Sequence, residues 1–420
     1  MVLRNGIVLV FTILSVSICS SFADSELLSV HAVFRHGARA PIEKFTSEEA
    51  RIHFFRGPGQ LTDEGIEQAK IVGQILRDRY VNTSFLDHRM LTKEVFFQSS
   101  GSERCLMTMN SAIQIMFPNA TPPIQTMKRA DDFLLVPKYD CPYIMKGFKE
   151  VFNLTEKEFS RAKANIWEIS ERALQRAADQ SKYLHDKDVS VIPALILEKD
   201  AGLAVPAWFD DKAYEEAEVL FFNAIAVMAG AGPYYNPSWM VSKSGYLLNK
   251  IFEEIKQQIE CSSNDICAPM KKFSAFSTHD ILIMALLESL GIREAALGKN
   301  ASPRFCSLVV FELWMIDGSP KVKVLYRKNP DETTLINLTG NVRNCEGNAE
   351  YCEPEKFTSC CDPFITADPK ESCYGTPSTW RMNSLTWLLI GVTIALSVII
   401  IALIYLSIRI KRQRKVELKC

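Results

Sequence analysis

A largely apolar run over residues 27–34 ends in the basic string RHGARAP, residues 35–41. The run is typical of a buried strand, and the glycine and proline after it let the backbone bend and fix its exit. Open α/β sheets bind anionic ligands at the carboxyl ends of such strands. Arg35 and Arg39 flank His36, whose imidazole can act on an anion as a nucleophile or an acid–base group. The alternative, a basic surface turn after an edge strand, is not excluded by the string alone.

A second strand–turn–helix pattern follows later in the chain. Residues 94–99 are predicted to form a short strand, and Ser102 is placed to cap a helix over 103–117. This arrangement puts Arg104 in the first helical turn, near the end of the strand. By itself, Arg104 would be interpreted as a solvated helix residue.

A third pattern of this kind places a histidine and an aspartate after a strand. Residues 271–277 are predicted to form the strand, His279-Asp280 lies in the turn, and 281–290 form an apolar helix. Because the carboxyl ends of parallel strands lie along one edge of a doubly wound sheet, the three turns are expected to converge. The side chains of this expected site are Arg35, His36, Arg39, Arg104, His279 and Asp280.

The chain as a whole predicts an α/β fold with a doubly wound, mainly parallel sheet and helices on both faces. Thr62 is placed to cap an amphipathic helix over 63–80, and residues 307–316 and 322–326 alternate as in a hairpin. Strand-like alternation almost disappears in the middle of the chain, where helical periodicity dominates. The predicted helical stretches there are 155–185, 210–229 and 243–260.

These changes of pattern divide the chain into predicted parts. The length allows one large domain or two medium ones, and the strand-poor middle is interpreted as an insertion into the α/β part. The predicted parts are a signal peptide, 1–23; an α/β catalytic domain, 24–121 and 271–340; a mainly α inserted domain, 122–270; a Cys-rich juxtamembrane segment, 341–384; a transmembrane helix, 385–408; and a cytoplasmic tail, 409–420.

Both ends of the chain carry apolar segments that predict a type I single-pass membrane protein. Arg4 precedes the apolar run 6–19, and small residues at 21 and 23 suit cleavage by a signal peptidase. Residues 385–408 are uncharged and would be about 36 Å long as a helix, enough to span a bilayer. Six Lys/Arg follow in 409–420, which favours a cytoplasmic tail over the alternative of a buried core helix.

The net charge of −1 hides an uneven distribution. Residues 409–420 carry +5, residues 1–23 carry +1, and the body between them carries −7. A mildly acidic body with a basic end argues against nucleic acid as a partner and for attachment to a membrane. With 47% hydrophobic and 23% charged residues, the chain has the composition of a folded protein.

The cysteines fit an oxidising compartment. Without Cys19 in the signal and Cys420 in the tail, ten remain on the luminal side, an even number. Cys261 and Cys267 are near enough to close a small loop, and five cysteines crowd into 345–373. A zinc site is the alternative, but the sequence there lacks nearby histidines and paired Cys-x-x-Cys spacings. Glycosylation sequons on the same side begin at Asn82, Asn119, Asn153 and Asn337.

Together, these motifs resemble those of the histidine acid phosphatases, a branch of the phosphoglycerate-mutase-like superfamily. The likeness rests on RHGxRxP at 35–41, LTxxGxxQ at 61–68, Arg104 after a strand, and the late His-Asp pair. It covers roughly 27–375. The succession of signal, ectodomain, single span and short tail is most similar to the membrane-bound lysosomal and prostatic acid phosphatases.

The resemblance implies hydrolysis of phosphate monoesters through a phosphohistidine, with no metal or other cofactor. His36 would attack the phosphorus, and Asp280 would protonate the leaving alcohol. Cations around His36 disfavour its protonation in the empty site, and a carboxyl group with an ordinary pKa of about 3.9 is more easily protonated in an acidic lumen. The groups that would hold the phosphoryl oxygens are Arg35, Arg39, Arg104 and His279.

The resemblance also bears on the cysteines, the location and the partners. Cys306 resembles a family cysteine whose usual partner is absent from this sequence, so its pairing stays open, as does that of Cys105. The tail lacks a tyrosine after the span, which leaves the lysosomal or endosomal membrane and the cell surface as equal alternatives. The expected partners are a phosphomonoester substrate and the membrane, with homodimerisation left open. The disulfides that the resemblance implies are Cys141–Cys373 and Cys345–Cys352.

Other functions are alternatives to this one. A phytase or a lysophospholipid phosphatase is the nearest, although the acidic body gives no sign of the strongly basic pocket that a highly phosphorylated inositol requires. A catalytically silent, ligand-binding ectodomain is the alternative outside the enzymes, but folding alone does not require all six polar side chains. Other phosphatase chemistries lack their motifs, since Cys-x5-Arg is missing and Asp186-Lys187-Asp188 follows no hydrophobic strand.

Overall fold

The computed structural model describes residues 25–138, 140–262, 267 and 270–375, and eight residues between 393 and 407. The strands within these residues are Ser25–Arg35 (β1), Val95–Ser99 (β2), Ile124–Gln125 (β3), Phe273–Thr278 (β4), Leu308–Ile316 (β5), Ser319–Arg327 (β6) and Ile336–Asn337 (β7). They form one sheet in the order β3-β2-β4-β1-β5-β6-β7. The first strand of the described chain therefore lies in the middle of the sheet.

The sheet is mixed, which corrects the prediction of a mainly parallel one. β1 to β4 run parallel, whereas β5, β6 and β7 continue the sheet in antiparallel pairs. The cause is the point at which the chain re-enters the sheet, because Leu308 lies opposite Phe34 at the carboxyl end of β1 and β5 runs back from there. Asp317 and Gly318 then adopt φ values of 48° and 75°, which form the tight turn of the predicted hairpin.

Helices occupy most of the remaining chain. The α-helices are Glu48–His53 (α1), Asp63–Leu76 (α2), Glu103–Met116 (α3), Pro142–Val151 (α4), Glu156–Ala164 (α5), Trp167–Ala178 (α6), Ile192–Asp200 (α7), Asp211–Ala229 (α8), Pro237–Met240 (α9), Tyr246–Ser262 (α10), Asp280–Leu290 (α11), Arg293–Leu297 (α12), Pro354–Ser359 (α13) and Pro369–Tyr374 (α14). The π-helical turns are Arg77–Val81 and Val241–Gly245, and the 3₁₀ turns are Val189–Val191, Gly232–Tyr234, Thr339–Asn341 and Asp362–Phe364.

Of two predicted helices, one is confirmed by the structure and the other is interrupted. The helix expected over 63–80 is confirmed as α2 and its π-helical continuation. The stretch 155–185 is interrupted instead, because Asn165 leaves the helical conformation at φ −135° and ψ 96°. Its side-chain oxygen accepts a hydrogen bond of 3.2 Å from the N–H of Trp167, an interaction with which asparagine competes against a continuous helix.

Helices cover both faces of the sheet because successive residues of β1 point to opposite sides. Ala32 and Phe34 belong to a buried apolar cluster with side chains of α2 and α3. Val33 belongs to another, which includes side chains of α8, α10 and α11. These two layers fix the strand ends from both sides. The boundaries of the inserted domain, 122–270, stay a prediction.

The predicted membrane topology falls largely outside the described residues. The signal peptide, 1–23, and the tail, 409–420, lie outside them, as does most of the span over 385–408. The described residues of that span are helical, with exposed side chains. Within the described chain, one helical stretch is long and apolar enough to cross a membrane, Asp211–Tyr234, and it is mostly buried in the protein core. The C-terminal anchor therefore stays a prediction.

Disulfides join eight cysteines of the described chain. One pair links the neighbours Cys360 and Cys361, which the spacing did not suggest. Cys105 and Cys306, whose partners the sequence left open, are buried free thiols. Cys352 exchanges two backbone hydrogen bonds of 2.8 Å with Val322, so the Cys-rich segment is packed against β6. The other disulfides are the expected pairs Cys141–Cys373, Cys261–Cys267 and Cys345–Cys352.

Candidate active site

The ends of three parallel strands meet at one edge of the sheet. Arg35 of β1 lies opposite Thr278 of β4, and Ser99 of β2 lies opposite Ser277. The N–H of His36 donates to the carbonyl oxygen of Thr278 at 3.1 Å, so the turn after β1 is attached to the end of β4. This convergence brings the six predicted side chains into one cavity: Arg35, His36, Arg39, Arg104, His279 and Asp280.

Close backbone packing explains the glycine of the RHGARAP string. A Cβ at Gly37 would lie 2.3 Å from the carbonyl oxygen of Gly65, and a Cβ at Gly65 would lie 2.2 Å from that of Ala38. The N–H of Gly37 donates to Thr108 Oγ1 at 3.1 Å, and the N–H of Ala38 donates to Gln68 Oε1 at 2.9 Å. Side chains of α3 and α2 therefore hold the string, which explains why LTxxGxxQ accompanies it.

Replacement of Gly65 by alanine is expected to lower kcat/KM about 100-fold, because the methyl group must push α2 away from the turn that carries His36 and a shift of about 1 Å has such an effect. The measurement is hydrolysis of an aryl phosphate by the folded variant. Gly73→Ala is the matched control, since a Cβ there would lie 2.3 Å from the carbonyl oxygen of Ala112, between the same two helices but away from the site. Equal losses in both variants would contradict the conclusion that close packing at Gly65 positions the turn that carries His36.

His36 is buried, and a hydrogen bond fixes its ring. Nδ1 lies 2.9 Å from the carbonyl oxygen of Gly37. Because a carbonyl can only accept, Nδ1 carries the proton and Nε2 keeps its lone pair. Burial and then the charges of Arg104 and Arg35 hold the pKa of His36 well below its usual range. The ring is therefore held uncharged below the pH at which an exposed imidazole becomes charged.

Arg35 links the aspartate to a loop that the sequence did not indicate. Nη2 donates to Asp280 Oδ2 at 2.6 Å, and Nη1 donates to the carbonyl oxygen of Pro303 at 2.6 Å. The guanidinium carbon lies 4.2 Å from the centre of the Phe305 ring, a cation–π contact. Pro303 and Phe305 lie at the site because they directly precede β5, and the hairpin pattern in the sequence does not indicate the edge at which that strand begins.

Asp280, the first residue of α11, is held as a carboxylate in the empty site. Its burial raises the pKa, but the charges of Arg35 and Arg39 outweigh burial and bring the pKa below its usual value. The resemblance in sequence predicts a carboxyl group that starts protonated, which an acidic lumen makes easier. The ion pair with Arg35 means instead that the proton must arrive when a ligand enters.

His279 is engaged with its neighbours in the empty site. Its Nδ1 lies 3.3 Å from Nη2 of Arg104, and its Nε2 lies 3.0 Å from Oγ of Ser100. Because arginine can only donate, Nδ1 accepts and the Nε2–H is directed to Ser100. Burial and the charge of Arg104 lower the pKa of His279 to about 3, so the ring is neutral. His279 thus orients Arg104, and its contact with a phosphoryl oxygen stays a prediction.

The arginines of the site retain donors for a ligand. Within the described residues, the buried Nε atoms of Arg35 and Arg104 have no hydrogen-bond partner. Arg39 donates through Nη1 to the carbonyl oxygen of Ala40 at 2.9 Å. Burial and the charge of Arg104 lower the pKa of Arg39 to about 9, so it stays charged at acid and neutral pH. Buried, charged donors without a partner favour an anionic ligand.

Comparison with known proteins agrees with this geometry. Residues 26–327 match the histidine phosphatase superfamily (branch 2). The chain is 46% identical over 414 residues to the Caenorhabditis elegans protein named "Putative acid phosphatase 1", which covers 96% of this chain and 97% of that protein. It is 25% identical to the lysosomal acid phosphatase of Xenopus laevis, over 96% of this chain and 91% of the relative.

Solved structures share the fold at low sequence identity. The phytase of Hafnia alvei in complex with myo-inositol hexakis sulphate superposes with a TM-score of 0.55 at 14% identity, over 83% of this chain and 98% of that one. At this identity the likeness concerns the fold alone. The family match and the relative at 46% identity confirm the resemblance seen in the motifs. The chain therefore belongs to the histidine phosphatase superfamily (branch 2) and is a hydrolase of the acid phosphatase type.

Proposed function

We propose that this enzyme hydrolyses phosphate monoesters at acid pH through a covalent phosphohistidine on His36. The observation that carries the proposal is the uncharged imidazole of His36, with a free lone pair, among Arg35, Arg39 and Arg104. Phosphoryl transfer mainly needs positioning of the nucleophile and compensation of charge on the phosphoryl oxygens. The three arginines supply that compensation. His279 is proposed to contact a phosphoryl oxygen as well.

The proposed reaction has two steps. In the first, Nε2 of His36 bonds to phosphorus, the P–O bond to the alcohol breaks, and Asp280 gives its proton to the leaving oxygen. In the second, water attacks the phosphorus, Asp280 takes a proton from it, and the P–N bond breaks. Asp280 passes this proton to phosphate, which leaves as the monoanion, and the neutral imidazole and the carboxylate of the empty site are restored.

The proton for the first step is proposed to enter with the substrate, because Arg35 holds Asp280 as a carboxylate in the empty site. A phosphate monoester loses its second proton with a pKa of about 6, so below that pH it binds as a monoanion. Its charged oxygens engage Arg35 and Arg39, which weakens their hold on Asp280. The pKa of Asp280 then rises, and the carboxylate takes up the proton that the substrate carried.

This order of events predicts the pH dependence. Above about pH 6, kcat/KM should fall about tenfold per pH unit as the monoanion disappears. No loss should appear as the pH falls through 6.5, because the pKa of His36 lies well below that value. The measurement is kcat/KM against pH for two aryl phosphates with different second pKa values. The pH at which kcat/KM begins to fall should differ between the two esters in line with their second pKa values. If it is the same for both, the proton does not come from the substrate.

The experiment that tests the proposed function is hydrolysis of an aryl phosphate by the purified full-length protein. A ³²P-labelled substrate should leave an acid-labile, base-stable label on the chain. Activity should persist in excess EDTA, because the arginines provide the charge compensation that metal ions provide in other phosphatases. Activity that disappears in EDTA and returns with a divalent metal would contradict this mechanism.

We further propose a luminal or extracellular location for a type I single-pass protein of the lysosomal or endosomal membrane or the cell surface. The disulfides of the described chain suit an oxidising compartment, and one relative is named a lysosomal acid phosphatase. A homodimer is an alternative to a monomer, and sedimentation of the purified protein distinguishes them. The proposed glycosylation sites are all exposed: Asn82, Asn119, Asn153 and Asn337.

A phytase-like phosphatase is the alternative that the fold favours, since the similar Hafnia alvei structure is a phytase. A lysophospholipid phosphatase is the alternative with an apolar leaving group. A catalytically silent ectodomain would bind phosphate without turnover. Release of inorganic phosphate from an aryl ester therefore separates the enzymes from the silent ectodomain, and the choice of ester separates the enzymes from one another.

A further inference from the structure

The cavity that contains the site extends well beyond the arginines. Its volume is about 450 Å³, within the range of pockets that hold small-molecule ligands. Away from the arginines its wall is built mainly by α6, α7 and α8. The apolar side chains that they contribute include Trp167, Leu174, Pro193, Leu197, Phe221 and Ile225.

The charged side chains that line the cavity form two sets of opposite net charge. Three arginines and Asp280 give the phosphate end a charge of +2 with both histidines neutral. The rest of the lining contains five carboxyl groups and three cations, a charge of −2 when all eight groups are ionised. The carboxylates are Glu43, Glu171, Asp200, Glu215 and Glu218, and the cations are Lys44, Arg129 and Arg304.

Only part of this outer charge is neutralised by local pairs. Arg304 pairs with Glu218 at 2.6 Å. Within the described residues, Glu43, Glu171 and Glu215 have no hydrogen-bond or ion-pair partner. Burial, and then the nearby charge of Glu43, raises the pKa of Glu171, so this carboxyl group repels a second anion most strongly toward neutral pH.

We propose that this cavity selects phosphate monoesters of a single apolar alcohol and rejects alcohols that carry a second anionic group. The inference rests on the proposed function, because it assigns the leaving group of that same reaction. The arginines orient the phosphoryl group toward His36, so the alcohol extends along the apolar wall. Each methylene group buried there favours binding, whereas a second phosphate would lie against Glu171 and Glu215.

The test uses the full-length protein and two substrate series below their micelle-forming concentrations. In n-alkyl phosphates, kcat/KM should rise about two- to fourfold per methylene until the wall is filled. Octyl phosphate should exceed 1,8-octanediol bisphosphate by about tenfold or more, since repulsion of about one pKa unit equals a tenfold effect. In the second series, 2-naphthyl phosphate should exceed phenyl phosphate if the wall also accepts aromatic alcohols. A rise in either series supports the apolar wall, and a preference for octyl phosphate over the bisphosphate supports the rejection of a second anionic group.

Two variants assign the effect to the wall. Val219 lines the cavity and is 37% exposed, so Val219→Asn should flatten the chain-length dependence. Val151 is 36% exposed and lies outside the lining, which makes Val151→Asn the matched control with an unchanged dependence. Glu171→Lys should improve the bisphosphate relative to octyl phosphate, whereas Glu150→Lys on the exposed surface of α4 should not.

The outcomes separate this inference from the proposed function. If phenyl phosphate is not hydrolysed, the proposed function itself is wrong. If phenyl phosphate is hydrolysed but both series are flat, or the bisphosphate is preferred, the inference is overturned and the phosphatase assignment stands. A steep chain-length dependence that survives Val219→Asn and Val151→Asn alike would also overturn the assignment to this wall.

Discussion

Hydrolysis of phosphate monoesters is expected to fall on the order of 10⁴- to 10⁶-fold when His36 is replaced by alanine, as for loss of other catalytic nucleophiles. The variant removes the Nε2 lone pair but leaves the phosphate-binding arginines in place. Inorganic phosphate should therefore still bind, and no labelled phosphoenzyme should form. The measurements are turnover of an aryl phosphate, ³²P labelling and phosphate binding by calorimetry.

His31 provides the matched control, because it lies in β1, five residues before His36, and is similarly buried. Its Nε2 is 2.9 Å from Glu254 of α10, away from the ligand-binding edge. His31→Ala should lower thermal stability while retaining turnover in the folded protein. Turnover retained by folded His36→Ala, or lost equally in both variants, would rule out His36 as the nucleophile.

Replacement of Asp280 by asparagine should have the second largest effect, and its size should depend on the leaving group. For an alkyl phosphate, the alkoxide needs a proton as it departs, so a loss of about 10²- to 10⁴-fold is expected. For 4-nitrophenyl phosphate, whose leaving phenolate is stable, the loss should stay below about tenfold. The measurement is kcat/KM for a series of esters that differ in the pKa of the alcohol.

The two kinds of ester serve as each other's control, because both use His36 and the same arginines. In the wild-type protein, Asp280 Oδ1 accepts a hydrogen bond of 2.9 Å from the N–H of Ile281. Asparagine has the same shape, and its side-chain oxygen can accept this bond as well. Equal losses for alkyl and aryl esters would mean that Asp280 acts by holding Arg35 rather than by protonating the alcohol.

The gathering of the six side chains was predictable from the sequence. Each lies in or near a turn that follows a strand, and periodicity locates strands because it is a local property. The rule that parallel strands end along one edge then brings distant turns together. Register confirms this for β1, β2 and β4, where Arg35 lies beside Thr278 and Ser99 beside Ser277.

The features that could not be predicted from the sequence depend on the direction of a strand or on the distance between two side chains. Pro303 and Phe305 reach Arg35 only because β5 starts at the ligand-binding edge, and a hairpin pattern does not reveal its direction. The ionised state of Asp280 follows from its 2.6 Å contact with Arg35, which no spacing predicts. The disulfide between Cys360 and Cys361 was missed for another reason, since proximity in sequence does not by itself indicate pairing.

Because β1 lies in the middle of the sheet, it can pair with its neighbours only late in synthesis. β1 emerges first among the described strands, yet its partners β4 and β5 are made roughly 15 to 60 s later at about 5–20 residues per second. During that interval both edges of β1 lack their partners, and Arg35 lacks Asp280. The disulfide Cys141–Cys373 closes later still, over a separation of 232 residues. The nascent chain must therefore be kept from aggregating until nearly all of it has been translated, and activity appears only after that point.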